Sequence, residues 1–267
     1  GPGGWSPGEL ADRLRAELGP NTKGLYVNTP NNPSGVVLGR AHLEAIAAVA
    51  PDRECLIFRD RRFSCSQITD RTRRLASLLR AHGLGCRRER SELQNWESGQ
   101  DHVALYLYNG NEYLEGMLGS FKARCAPFNV NYRYVEEELL YLFDNADAKA
   151  VVYHASFAPT LARIRERLTQ VRLWLQVADE SGEALLPGAL DYEQALADAK
   201  PDVPEGLSGD DLYILYTGGT TGMPKGVLWR QEDIFLAAMG GPIPPRTLAE
   251  AVERGRNPGP RSLPAPP

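Results

Sequence analysis

The stretch YTGGTTGMPKGV, Tyr216 to Val227, follows directly on the apolar run LYIL at 212–215. Glycines at 218, 219, 222 and 226 let backbone N–H groups approach a ligand with no side chain in the way. Thr217, Thr220 and Thr221 add hydroxyl donors, and Lys225 adds a mobile point charge suited to phosphate. Together they make a nest for a polyphosphate. A hydrogen bond to a charged oxygen contributes roughly 1.5–3 kcal/mol, so four or five would dominate nucleotide binding. The Walker A loop does not fit. Pro224 stands before Lys225 where a glycine is required, and Gly226 follows it where a hydroxyl is required. The residues after the loop, GVLWR, also read as a strand, whereas a Walker loop opens a helix. A glycine hairpin with one exposed lysine is the alternative reading.

Outward from the loop the chain alternates. Apolar strands are predicted at 102–108, 126–130, 149–154, 171–177 and 211–217, with helices at 111–124, 134–147, 157–168 and 192–199. Such alternation implies an α/β fold with a parallel-rich sheet and flanking helices on both faces. Further upstream, CLIF and RRFSC bracket a tight turn and predict a hairpin. Ser64 and Gln67 stand in capping-box spacing at the head of a helix that ends at Gly83. Residues 86–100 are charged and aperiodic, and read as a surface loop. The first fifty residues predict a helix at 6–18, a strand at 23–28, a turn at 29–35 and a helix at 40–50. EDIFLAAM (232–239) predicts one more helix.

Composition bounds the function classes. Of 267 residues, 42% are hydrophobic and 24% charged, which is ordinary globular usage. The net charge of −4 argues against a nucleic-acid partner. No apolar run approaches the roughly 18–20 residues of a membrane helix. The start has no basic segment followed by an apolar one, so a cytoplasmic location is expected. Only five residues are lysine, which makes one inside the glycine loop a marked choice. Cys55, Cys65, Cys86 and Cys125 have no C-x-x-C spacing, so no metal site is expected; Cys55 and Cys65 flank the hairpin and could face each other.

LYTGGTTGMPKGV resembles the phosphate loop of the AMP-forming adenylating enzymes, the acyl-CoA synthetase and luciferase superfamily. The similarity covers about residues 51–267. DRECLIFRDRRFSCSQI is similar to the family's opening hairpin and first helix, and the form YTGGTTGMPKGVLWRQEDIF is most similar to bacterial fatty-acyl and steroid-side-chain CoA ligases. The resemblance implies the N-terminal domain of that fold and an acid–thiol ligase reaction. A carboxylic acid reacts with Mg-ATP to give acyl-AMP and diphosphate, and CoA then displaces AMP. Carried over, Thr217, Gly218, Gly219, Thr220, Thr221, Gly222 and Lys225 would embrace the β- and γ-phosphates. Many members have serine at the position of Gly218 and histidine at that of Gln231. The family's adenine-binding loop, ribose-binding aspartate and C-terminal domain with its adenylation lysine have no counterpart here, so no catalytic residue is assigned. The expectation is a truncated ligase portion that is inactive alone. A non-catalytic nucleotide-binding fragment is the alternative.

TKGLYVNTPNNPSGVVLGRAHLEAIAAVA (22–50) resembles class I pyridoxal-phosphate aminotransferases. Their cofactor-contacting asparagine would fall on Asn32, but their Schiff-base lysine has no counterpart, so pyridoxal phosphate is not expected to bind. An aminotransferase relic fused to a ligase piece is the third reading. The expected domains are an aminotransferase-like fragment at 1–50, an AMP-binding portion at 51–241 and a proline-rich tail at 242–267. Other groups read as structural. His42, His82, His102 and His154 are scattered, and Glu136, Glu137 and Glu138 open a helix where acids favour the dipole. Arg87, Arg88 and Arg90 belong to a charged loop, with attraction of CoA phosphates as the alternative. Trp229 and Arg230 are expected to pack on the sheet.

Overall fold

The computed structural model describes residues 44, 47–202, 206–217 and 223–234. The predicted helix 6–18, strand 23–28 and turn 29–35 lie outside these residues, as does most of the predicted helix 232–239. Glu44 and residues 47–49 are helical, within the predicted helix 40–50. The chain divides into one unit from residues 1–69 with 232–267 and a second from residues 70–231.

The first unit contains the predicted hairpin. Strands β1 (Glu54–Phe58) and β2 (Arg61–Ser64) pair antiparallel, with Phe58 opposite Arg61 and a bulge at Cys55. Helix α1 (Cys65–Ala81) follows at once, and from Asp70 onward it belongs to the second unit. Its start is a working capping box: the Ser64 N–H donates to Gln67 Oε1 at 2.8 Å, and the Gln67 N–H donates to Ser64 Oγ at 3.2 Å. Its end is the predicted glycine stop. Gly83 takes φ of +67°, and the Leu84 N–H reaches back to the Leu79 carbonyl at 3.0 Å.

The second unit is built on a sheet of β3 (His102–Tyr106), β4 (Ala126–Asn129), β5 (Ala148–His154), β6 (Leu173–Val177), β7 (Leu190–Asp191), β8 (Leu212–Thr217) and β9 (Lys225–Arg230). The spatial order is β7-β6-β5-β3-β4-β8-β9. Every pairing is parallel except the β8–β9 hairpin. Helices α2 (Asn111–Lys122), α3 (Glu136–Asn145), α4 (Ala158–Ile164) and α5 (Tyr192–Asp198) make the connections. The two-residue alternation of strand side chains explains how both faces are covered. Ala104 and Tyr106 of β3, with Val151 and Tyr153 of β5, join Leu139, Leu142 and Phe143 of α3 and Leu161 and Ile164 of α4 in one core. Leu105 points the other way, into α2, where a Cβ on Gly116 would lie 2.7 Å from its Cδ2. α2 in turn touches α1: a Cβ on Gly119 would meet Leu75 Cδ2 at 2.7 Å. Helices therefore cover both faces, as the strand–helix alternation predicts.

A buried ionic knot ties α5 to this layer. Glu115 on α2 is fully buried. It accepts from Arg71 Nε at 2.7 Å, from Tyr192 Oη at 2.8 Å and from Asn111 Nδ2 at 2.9 Å, while Arg71 also bonds Glu193. Arg71 Nη2 adds a fourth bond at 2.9 Å, so the four acceptor sites of the carboxylate meet four donors, the satisfied arrangement that buried charge requires.

Two details differ from the sequence reading. The predicted helix 157–168 is α4 followed by a 3-10 turn at Arg165–Arg167. Residues 86–100 are more than a solvated loop. Cys86 and Gln100 form a β-bridge that closes the ends, and Arg90–Glu92 is a 3-10 turn. Arg124 holds Glu89 at 2.7 and 2.8 Å and Asp211 at 3.0 Å, so the loop is clamped over the N-terminal ends of β4 and β8. The Gln100 amide completes the clamp, donating to the Arg124 carbonyl at 2.8 Å and accepting from the Leu212 N–H at 2.6 Å.

Candidate functional site

β3 is the point where the chain changes direction across the sheet: β4 and β8 lie on one side, β5, β6 and β7 on the other. In open α/β sheets of this kind ligands bind beyond the carboxyl ends of the strands. β8 runs parallel to β4, so Thr217, its last residue, lies on that edge. Burial decides where the hairpin leaves the core. Leu212, Tyr213 and Ile214 are buried, and Leu215 and Thr217 are exposed. The register places Thr217 opposite Lys225 and Tyr216 opposite Gly226. Thr217 and Lys225 are thus adjacent at the base of the loop, and both are exposed. Gly218, Gly219, Thr220, Thr221 and Gly222 lie outside the described residues. Asn32 lies outside them as well.

Gly226 has a role other than the one its place in the glycine-rich run suggests. It belongs to β9, and a Cβ there would meet the Tyr216 ring at 2.9–3.1 Å. The missing side chain makes room for an aromatic ring across the hairpin. That ring lies 5.7 Å from Phe128, and its hydroxyl donates to Asn145 Oδ1 at 2.9 Å. Burial, with Tyr141 adding to it, pushes the Tyr216 phenol up to about 12, so it remains a neutral donor through the physiological range. Just before the other strand, Tyr141 Oη donates to the Pro224 carbonyl at 3.3 Å. Tyr141 and Asn145 both belong to α3. Sequence reasoning passes over both, because only the tertiary fold brings residues 71 and 83 positions apart together.

The same edge carries His154 at the end of β5. The Tyr108 N–H donates to its Nδ1 at 3.0 Å, which fixes that nitrogen as an acceptor and the imidazole as neutral. Burial lowers its pKa. At the end of β6, Asp179 accepts from the Ser156 N–H and the Ser181 N–H, both at 2.9 Å. Burial opposes ionisation there, but these hydrogen bonds outweigh it and hold the carboxyl down at about 2.

The remaining polar candidates are engaged within the fold. His82 Nδ1 donates to the Leu78 carbonyl at 2.9 Å. His102 Nδ1 donates to the Ala146 carbonyl at 2.5 Å, and its Nε2 accepts from Ser98 Oγ at 2.7 Å. His42 is outside the described residues. Glu138 Oε2 accepts from the Val135 N–H at 2.9 Å, while Glu136 and Glu137 pair with Arg163 and Arg167. Arg87 pairs with Asp101, Arg88 with Glu97, and Arg90 donates to the Gln94 and Glu97 carbonyls. Arg230 pairs with Asp210 at 2.7 Å, and Trp229 is 40% exposed on β9. The cysteines are free thiols; Cys55 and Cys65 are both buried, and a hydrogen bond between them pushes the Cys55 thiol up. Among the described residues no group of three or more His, Cys, Asp or Glu side chains could hold a metal ion, and no helix is long and apolar enough to cross a membrane.

Comparison with known proteins places these features in a family. The sequence model described as AMP-binding enzyme matches residues 43–250, and that described as aminotransferase class I and II matches residues 8–64. The chain is 51% identical to the medium-chain acyl-CoA ligase Mig of Mycobacterium avium over 84% of its own length and 42% of the relative's. It is 40% identical to a medium/long-chain-fatty-acid–CoA/3-oxocholest-4-en-26-oate–CoA ligase of Mycobacterium marinum, over 74% of this chain and 34% of that one. Among solved structures, the inhibitor-bound N-terminal domain of FACL13 from Mycobacterium tuberculosis superposes with a TM-score of 0.57 at 27% identity, covering 71% of this chain and 43% of that one. The chain therefore spans less than half the length of each of these relatives.

Proposed function

The chain belongs to the AMP-binding enzyme family, and we propose that its β8–β9 hairpin grips the β- and γ-phosphates of ATP in an acyl-CoA ligase reaction. The observation that carries this reading is the pairing of Thr217 with Lys225 at the base of a glycine-rich loop, on the carboxyl edge of the sheet. Thr217, Gly218, Gly219, Thr220, Thr221 and Gly222 supply backbone and hydroxyl donors, and Lys225 supplies the charge.

In the reaction a carboxylate oxygen attacks the α-phosphorus and the bond to the β-phosphate oxygen breaks. Acyl-AMP forms and diphosphate leaves. The sulfur of CoA then attacks the acyl carbon, and AMP leaves. The hairpin's part is to hold the departing diphosphate and spread its charge over fixed donors. The relatives' names support a fatty acid or a steroid side-chain acid as the carboxylate. Magnesium would arrive with the nucleotide.

The two family matches, 8–64 and 43–250, overlap around residue 50. They support an aminotransferase-like segment at 1–50 joined to an AMP-binding portion at 51–241. Asn32 would be its vestigial cofactor contact.

The experiment is titration of the purified chain with Mg-ATP and with inorganic pyrophosphate, alongside Lys225→Ala. Loss of one charge-assisted contact, about 1.5–3 kcal/mol, predicts binding about 10- to 150-fold weaker. Equal binding by the variant removes the assignment. ATP–pyrophosphate exchange with medium- and long-chain fatty acids separates the two remaining readings: binding with exchange marks a ligase, and binding without it a nucleotide-binding module.

A further inference from the structure

We propose that α3 is the strut of the phosphate-gripping hairpin, with Tyr141 and Asn145 as positioning residues for the residues that flank the loop. The inference rests on the phosphate reading of that loop and adds the element that holds it in place.

The hairpin needs such support. β8 is joined to the sheet through a single register pair with β4, Phe128 with Ile214. Beyond the Ile214–Leu228 pair, Leu215 and Thr217 of β8 and Lys225, Gly226 and Val227 of β9 are exposed. The outer part of the stem is a two-stranded ribbon, and such a ribbon is marginal by itself. Two hydrogen bonds reach it from one helix, one to each strand's side of the loop. Asn145 Oδ1 accepts from Tyr216 Oη, one residue before Thr217. Tyr141 Oη donates to the Pro224 carbonyl, one residue before Lys225. Each tether therefore ends next to a residue assigned to phosphate.

The strut is itself fixed. Leu139, Leu142 and Phe143 of α3 are buried in the sheet's core, and its first turn is pinned through Glu136 to Arg163 and through Glu137 to Arg167. Tyr141 and Asn145 lie four apart, on one face of the helix. Gly226 completes the fit by admitting the Tyr216 ring. Neither Tyr141 nor Asn145 has to touch the nucleotide. They set where the Thr217 hydroxyl and the Lys225 ammonium stand before it arrives, and such pre-ordering shows as affinity.

The test compares the full chain with Tyr141→Phe, Asn145→Ala and Tyr216→Phe. Three readouts are taken: thermal unfolding without ligand, binding of inorganic pyrophosphate, and amide exchange of the stem segments 215–217 and 225–227. One hydrogen bond of ordinary strength predicts pyrophosphate binding weaker by about 5-fold in each variant. Stem exchange should quicken while β5 and β6 keep their rates. Asn145→Ala should add nothing in the Tyr216→Phe background. A general structural role would instead lower the melting temperature and leave affinity and stem exchange unchanged, and that result overturns the inference. If the wild-type chain binds no pyrophosphate but the variants still loosen the stem, the strut stands and the phosphate reading falls.

Discussion

A methyl group at residue 119 would lie 2.7, 2.8 and 2.9 Å from Leu75 Cδ2, Cγ and Cβ. Those atoms belong to a fully buried leucine on α1, so no flexible tip can swing aside. Gly119→Ala should therefore destabilise the chain by about 1–3 kcal/mol, although alanine is the better helix former. Denaturant unfolding measures this. Leu75→Ala combined with Gly119→Ala should cost less than the two single changes added together, because the second methyl fills part of the space the first change opens. The sequence shows that 116 and 119 are glycines within a helix, but it cannot show what they face. In the same way Gly226 reads as one more glycine of a ligand loop, until the fold sets it opposite Tyr216.

Strand ends carry the pH response. His154 accepts from the Tyr108 N–H, and protonating Nδ1 removes that lone pair and breaks the bond. His102 is held neutral between Ala146 and Ser98. Burial lowers both pKa values below the ordinary histidine value of 6.5. Below that value the unfolded chain binds protons that the folded chain refuses, so folding weakens as the pH falls. The expected outcome is full stability from these two groups above about pH 6.5, and a falling melting temperature from there down through their folded pKa values. His154→Gln should flatten part of that slope, and melts at half-unit pH steps would show it. Strand–helix alternation is legible because each element carries its own period. The order β7-β6-β5-β3-β4-β8-β9 is not, because apolar strands buried on both faces look alike. The capping box at Ser64 and the stop at Gly83 are legible because both are local. The Tyr141–Pro224 and Asn145–Tyr216 bonds are not, because each joins distant parts of the chain.

Taken as a molecule, the chain spans 42% of the length of the M. avium ligase and shares half its residues over the matched span. Its fold is held by long-range ionic contacts that composition hides. Arg124, Glu89 and Asp211 draw together residues 35 and 87 positions apart, and Arg71 joins residue 193 to residue 115. Of the candidate site, the family signature and the hairpin around it are readable from the sequence, because twelve consecutive residues carry them. What holds the hairpin at the sheet's edge is dispersed, so periodicity and spacing give no sign of it.

Residues 86 and 100 form a bridge, and the span between them turns back at an exposed Trp96. A segment whose two feet are already fastened is a natural graft point. Doubling a loop's length adds only about 0.6 kcal/mol of closure entropy. A peptide tag of similar length spliced between Asn95 and Trp96 should leave the melting temperature within about 3 °C of the parent, by the usual scaling for chains of this size. It would project from the margin opposite the carboxyl ends of the strands. A fluorophore carried there could report on nucleotide titrations without crowding the loop they probe.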